Sequence, residues 1–138
     1  MVESVTLCAL ALAALSHNPT ADQLSTCVEV HLEAQAQGVD PSLMIAMSWH
    51  ESRFNRRAVS HAGARGAMQV MPRYFCPKRT HKGCNLIRAG VKAFKAWQRR
   101  HPAIRGTLCH YNSGNVCRPG GRRYASAVLA TLERLRSL

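Results

Sequence analysis

Apolar residues recur at helical spacing along nearly the whole chain. In residues 2–15, Val5, Cys8, Leu12 and Leu15 fall on one face of a 3.6-residue period, which predicts a first core helix. Thr20 with Gln23 three residues later forms a capping box, and Gly38 supplies a stop. Between them Leu24, Cys27, Val28 and His31 share a face. Asp40 before Pro41 pairs an N-cap residue with proline at the first helical position, opening a helix to about Phe54. Residues 56–82 lose the periodicity. Asn55, Gly63, Gly66, Pro72, Pro77 and Gly83 mark a looped region with short helical turns at most, and 59–74 has room for a small hairpin. Residues 85–100 return to an amphipathic helix. Ile87, Gly90, Val91, Phe94 and Trp97 form its apolar face, and Arg88, Lys92, Lys95 and Arg99 form a basic stripe. Pro102 ends it. A helix over about 103–111, a turn-rich loop at 112–121 and a last helix marked by Tyr124, Val128, Leu132 and Leu135 complete the chain. The predicted fold class is mainly α, in a single domain over residues 1–138.

Charge divides this helical chain in two. Residues 1–51 hold six carboxylates (Glu3, Asp22, Glu29, Glu33, Asp40 and Glu51) and no Lys or Arg. Residues 52–138 hold all 19 basic residues and one carboxylate, Glu133. The halves therefore carry −6 and +18, for a net +12. A disordered polycation is excluded, because 46% of the residues are hydrophobic and fall in periodic patterns. A calcium or magnesium site built from clustered carboxylates is disfavoured by their scarcity after Glu51. The expected partner is a polyanion or an anionic surface.

Six cysteines in a small chain point to three disulfides and an oxidising compartment. Sequence alone leaves many connectivities open. Cys76 with Cys84, and Cys109 with Cys117, would close short loops. Cys8 and Cys27 lie symmetrically about the turn at 16–20 and would face each other in an antiparallel hairpin. Six buried thiols is the alternative, and zinc is disfavoured for want of a closely spaced cysteine pair. The apolar run 5–15 does not read as a signal peptide, since Glu3 precedes it and no Lys or Arg does. The expected location is the periplasm or cell envelope, reached by phage delivery or another route outside general secretion.

Glu51 is the candidate for chemistry. Met44, Met47 and Glu51 lie at i, i+3 and i+7 on the helix opened by Pro41, so the carboxylate shares an apolar face. Desolvation there would raise its pKa, as a general acid at neutral pH requires. A buried glutamate paired with a nearby arginine is the alternative. His50–Glu51 opens like a zinc-protease signature, but Phe54 stands where the second histidine belongs. No acid accompanies a serine and histidine as a triad would need, His50, His61, His81, His101 and His110 are scattered and read as surface residues, and no phosphate-cradling glycine motif occurs. No metal or other cofactor is expected.

The run from Gly38 through Glu51-Ser52-Arg53-Phe54 resembles the catalytic helix of the soluble lytic transglycosylase family, which shares the goose-type lysozyme fold. Ala58, Ser60, Gly63-Ala64-x-Gly66-x-Met68-Gln69-Val70-Met71-Pro72 continue the likeness. Asn85-Leu86-x-x-x-Gly90 is similar to the family's helix start, with one residue of spacing difference. Tyr111-Asn112-Ser113-Gly114 resembles its Tyr-Asn-Ala-Gly loop, and Tyr124 stands where the family has a tyrosine opening the final helix. The resemblance covers roughly residues 34–135.

That resemblance implies a lysozyme-like helical domain with a substrate cleft. It implies cleavage of the β-1,4 bond between N-acetylmuramic acid and N-acetylglucosamine in peptidoglycan. Glu51 would protonate the glycosidic oxygen, then act as base on the muramic C6 hydroxyl, leaving a 1,6-anhydro end. A standard glycosidase uses two carboxylates; assistance by the N-acetyl group removes that need. Ser60 and Gln69 would hydrogen-bond substrate. The backbone at Met68 would touch the sugar, with its side chain an apolar floor. Tyr111 and Asn112 would orient Glu51 or the N-acetyl group, and Tyr124 joins the substrate-binding set. Gln69 and Asn112 as loop caps, and Tyr111 as core, are the alternatives. The basic insert 76–84 and the strongly basic second half depart from the family pattern. The insert is placed at the cleft rim, and the basic C-terminal helices against an anionic envelope surface. The expected state is a monomer with no specific nucleic-acid partner. Rival readings are a goose-type hydrolase using water, a basic nucleic-acid-binding module and a membrane-disrupting protein.

Overall fold

A computed structural model describes residues 1–138, and seven helices carry almost all of the regular structure. They are α1 (Val2–Leu15), α2 (Ala21–Ala36), α3 (Pro41–Ser52), the short α4 (Pro72–Phe75), α5 (Leu86–Arg100), α6 (Ile104–Ser113) and α7 (Pro119–Arg136). A 3-10 turn at Pro77–Arg79 follows α4. No helix is long and apolar enough to cross a membrane.

Local chemistry sets the helix starts. The Thr20 hydroxyl accepts from the Gln23 amide at 3.1 Å while the Gln23 side chain accepts from the Thr20 amide at 3.0 Å. Asp40 accepts from Ser42 N at 2.9 Å, with Pro41 at the first helical position. Asn85 does the same for α5, accepting from Arg88 N at 3.0 Å. Gly38, at φ +69°, supplies the left-handed turn after α2.

α3 is the central element. Every residue from Leu43 to Trp49 is buried, because α2 packs on one side of the helix and α7 on the other. α1 lies on α2, and α5 and α6 close the remaining side with α7 across α6. The main core joins Leu12, Val30, Met44, Met47, Phe54, Met68, Phe94, Leu108 and Val128. Three disulfides, Cys8–Cys27, Cys76–Cys84 and Cys109–Cys117, follow the pairing suggested by spacing, and no cysteine is free.

Four features differ from the sequence expectation. On α1 the buried residues are Ser4, Cys8, Ala11 and Leu12, while Val5 is 40% exposed. Ser4 takes that place because its hydroxyl meets the buried His31 Nδ1 at 2.8 Å. α3 stops at Ser52, not Phe54, because Arg53 and Phe54 both adopt positive φ, +53° and +60°. The 59–74 segment forms no hairpin. Arg65 instead makes isolated antiparallel bridges to Val59 and Val70. Finally, α6 runs through Asn112 to Ser113, and α7 begins at Pro119, so Gly120 and Gly121 are helical. Packing explains the last case: a side chain on Gly121 would collide with Ser113 Oγ and with the carbonyl and sulfur of Cys109. Tyr124 accordingly lies in the second turn of α7, not at its start.

Candidate active site

Glu51 sits in the last turn of α3, where the helix leaves the core, and it is half-buried. Burial pushes its pKa up from 4.5 to about 7, against a smaller opposing effect from Tyr124. No other carboxylate contributes to its titration. Two tyrosines close around it, Tyr111 from α6 and Tyr124 from α7. Burial, and then the nearby Glu51 charge, hold both phenols well above their ordinary range. The Tyr124 hydroxyl approaches the Glu51 carboxyl but completes no hydrogen bond of ordinary geometry, and it is one of two buried side-chain polar atoms without a partner. A protonated carboxyl and an unsatisfied hydroxyl, side by side at neutral pH, can both donate to one incoming oxygen.

The elements around Glu51 are fixed by side-chain bonds to backbone. Ser52 Oγ donates to the Ala67 carbonyl at 2.8 Å, and Ser48 Oγ, one turn earlier, donates to the same oxygen at 3.0 Å. Together they tie α3 to the 66–70 loop. His50, beside Glu51, meets Thr131 Oγ1 of α7 at 2.7 Å. Tyr111 donates to the Met68 carbonyl at 2.7 Å, joining α6 to the same loop. Gly90 permits this arrangement, since a Cβ there would overlap the Met68 side chain and stand 3.5 Å from the Tyr111 hydroxyl.

The residues singled out in the sequence separate into groups. Glu51, Tyr111 and Tyr124 come together. Gln69, Tyr111 and Asn112 line a cleft of about 480 Å³ that also includes Tyr74, Phe75, Trp97 and Arg100. Tyr111 is the side chain common to both, while Glu51 itself does not line this cleft. Gln69 has positive φ, and its amide nitrogen donates to the Ala58 and Gly66 carbonyls at 3.1 and 3.0 Å, so its donor capacity belongs to the loop. The Ser60 hydroxyl accepts from Ala64 N at 3.0 Å and closes a turn; it lies outside the cleft lining. The Met68 side chain is fully buried. It supports the cleft wall from behind and offers no exposed apolar floor. A second concavity of about 430 Å³, lined by Thr20, Asp22, Gln23, Arg53, Arg56 and Arg57 among others, lies apart from the two tyrosines.

Sequence reading passed over two features. Ser48 and Ser52 are spaced i, i+4, which was a signal, but their common acceptor comes from the loop. The other is a ring stack behind the cleft: His101 and His110 lie 3.6 Å apart between centroids, with Trp97 5.7 Å from His110. His110 Nδ1 donates to the Gly114 carbonyl at 2.7 Å, which fixes its tautomer and holds the 112–115 wall. The insert 76–84 begins directly after two cleft-lining residues, Tyr74 and Phe75.

A family described as "Transglycosylase SLT domain" matches residues 30–127, a span containing Glu51, both tyrosines and the whole cleft. No curated protein matches the chain.

Proposed function

The chain belongs to the transglycosylase SLT family, and on that premise we propose that it cuts the β-1,4 bond between N-acetylmuramic acid and N-acetylglucosamine, with Glu51 as the only acid and base. The observation that carries this reading is the half-buried Glu51 carboxyl, with a pKa of about 7 and no second carboxylate influencing it. At neutral pH such a group is protonated in part of the molecules and ionised in the rest, which suits a residue that must give a proton and then take one back.

Protonated Glu51 donates to the glycosidic oxygen as the bond from that oxygen to C1 of muramic acid breaks. The carbonyl oxygen of the N-acetyl group closes on C1 and holds the positive charge. Glu51, now a carboxylate, takes the proton from the C6 hydroxyl, and the C6 oxygen displaces the N-acetyl oxygen from C1. The proton is restored to Glu51, no water is consumed, and the product carries a 1,6-anhydro ring. In this scheme Tyr124 directs its unpartnered hydroxyl at the reacting oxygens. Tyr111 positions the 66–70 loop through the Met68 carbonyl, and Gln69 and Asn112 face the sugars along the cleft. Ser60 acts indirectly, by shaping the loop.

The three disulfides suit an oxidising envelope compartment, where peptidoglycan lies. We place a monomer there, its unpaired arginines and lysines against the anionic wall.

Mass spectrometry of the muropeptides released from sacculi tests the chemistry. Products lighter by one water, with no reducing end, are expected from the wild type. Reducing ends would replace this mechanism with hydrolysis by water. Glu51→Gln is expected to lower the rate by about 10²–10⁴-fold, and lysis at the wild-type rate would remove Glu51 from the chemistry.

A further inference from the structure

The 480 Å³ cleft has a single charged lining residue, Arg100, at the end of α5. Its guanidinium carbon lies 4.7 Å from the centroid of the Trp97 ring, and one Nη donates to Asn115 Oδ1 at 3.3 Å. Both partners are neutral. The three ion pairs of the molecule are Arg56–Glu29, Arg88–Glu33 and Arg136–Asp40, so no carboxylate neutralises Arg100. Trp97 in turn rests against His110 and His101, at 5.7 and 6.1 Å between centroids. The cation therefore lies on a braced aromatic platform, with most of its donors unused. A planar guanidinium held in this way, in a cleft without anions, matches the two oxygens of a carboxylate.

The glycan strand of peptidoglycan offers hydroxyl and amide groups along its length, and its carboxylates are on the peptide stems carried by muramic acid. We propose that Arg100 binds a stem-peptide carboxylate, and so makes the enzyme selective for stems whose carboxylates are free over stems whose carboxylates are amidated. The proposal rests on the peptidoglycan reading of the cleft. Arg100 is then a specificity-determining residue with no part in the proton transfers at Glu51.

The test is direct binding of two soluble muropeptides of equal length, one with free stem carboxylates and one with the same carboxylates amidated. The wild type is expected to prefer the free acid by about tenfold, the effect of one charge-assisted bidentate contact at a partly exposed site. Arg100→Gln should bring the ratio close to one. Arg100→Lys, which keeps the charge and loses the fork, should fall between. The ratio is the readout, so a general loss of affinity or fold does not imitate the result. A wild-type ratio near one, or a tenfold ratio retained by Arg100→Gln, would overturn the proposal. Failure of the lytic reading would show separately, as sacculi left uncut by wild-type protein.

Discussion

At the scale of the residue, the proton held by Glu51 is linked to stability. Folding raises its pKa from 4.5 to about 7, so the folded state holds this proton more tightly than the unfolded chain. The resulting stabilisation is fully present below pH 4.5 and is lost as the pH rises through 7. Glu51→Gln, which cannot ionise, should therefore be more stable than wild type at pH 8 by on the order of 2–3 kcal/mol, with the difference closing by pH 4. Urea unfolding of both proteins at the two pH values measures this. His31 and His50 act in the opposite direction, because burial lowers their pKa: their contribution is present above 6.5 and lost as the pH falls. Taking the difference between the two proteins isolates Glu51. Its place on an apolar helical face was legible from Met44 and Met47. The Ser48 and Ser52 bonds were not, because their acceptor, Ala67, belongs to a loop whose path depends on tertiary packing. Arg100 was hidden for a similar reason: one more cation on a basic helix gains meaning only from the ring beneath it and the cleft beside it.

At the scale of the element, the helix starts were legible because capping is local chemistry. Thr20, Asp40 and Asn85 each bond an amide two or three residues away. The ends were less so. Arg53 and Phe54 adopt left-handed conformations without being glycine, and only the surrounding packing enforces that. α7 runs against propensity at Gly121, where proximity to Cys109 and Ser113 outweighs the usual cost of helical glycine. The α1–α2 hairpin invites a measurement. Its Cys8–Cys27 bridge joins residues 19 apart in sequence, and replacing both cysteines with serine should cost about 3 kcal/mol. Denaturant titration would show it as a lower midpoint. α1 is the element expected to loosen first, because outside this hairpin a single side-chain hydrogen bond, from Arg134 to the Ala14 carbonyl, ties it to the rest of the molecule.

For the whole molecule, the division of charge in the sequence becomes a division of surfaces in contact. Each of the three ion pairs joins a carboxylate from the first 51 residues to an arginine beyond them. The Arg56 and Arg136 pairs are exposed, Glu33 beneath Arg88 is partly buried, and each pair is individually worth about 0–1 kcal/mol. Three of the six carboxylates of the acidic half are thus used internally, while most of the arginines and lysines remain outside any ion pair. Arg88 and Lys95 show one use of the basic stripe on α5: they meet Glu33 and the Gln37 carbonyl near the end of α2, where cations are favoured. The unpaired remainder predicts that association with isolated cell walls weakens by about tenfold or more between 50 and 500 mM salt. Sedimentation of protein with sacculi would measure it, and salt-independent association would remove the electrostatic component.

The short bridge Cys76–Cys84 has one further consequence. Lys78, Arg79 and Lys82 lie exposed inside the segment it closes. A trypsin-like protease cutting there would open the backbone, but the two fragments would remain covalently joined across the bridge. The nicked enzyme would travel as one particle, keep the cleft that begins just before the bridge, and separate into two pieces only when a reductant reached it. The loop closed by Cys76 and Cys84 is thus a part that can be cut without disassembling the molecule.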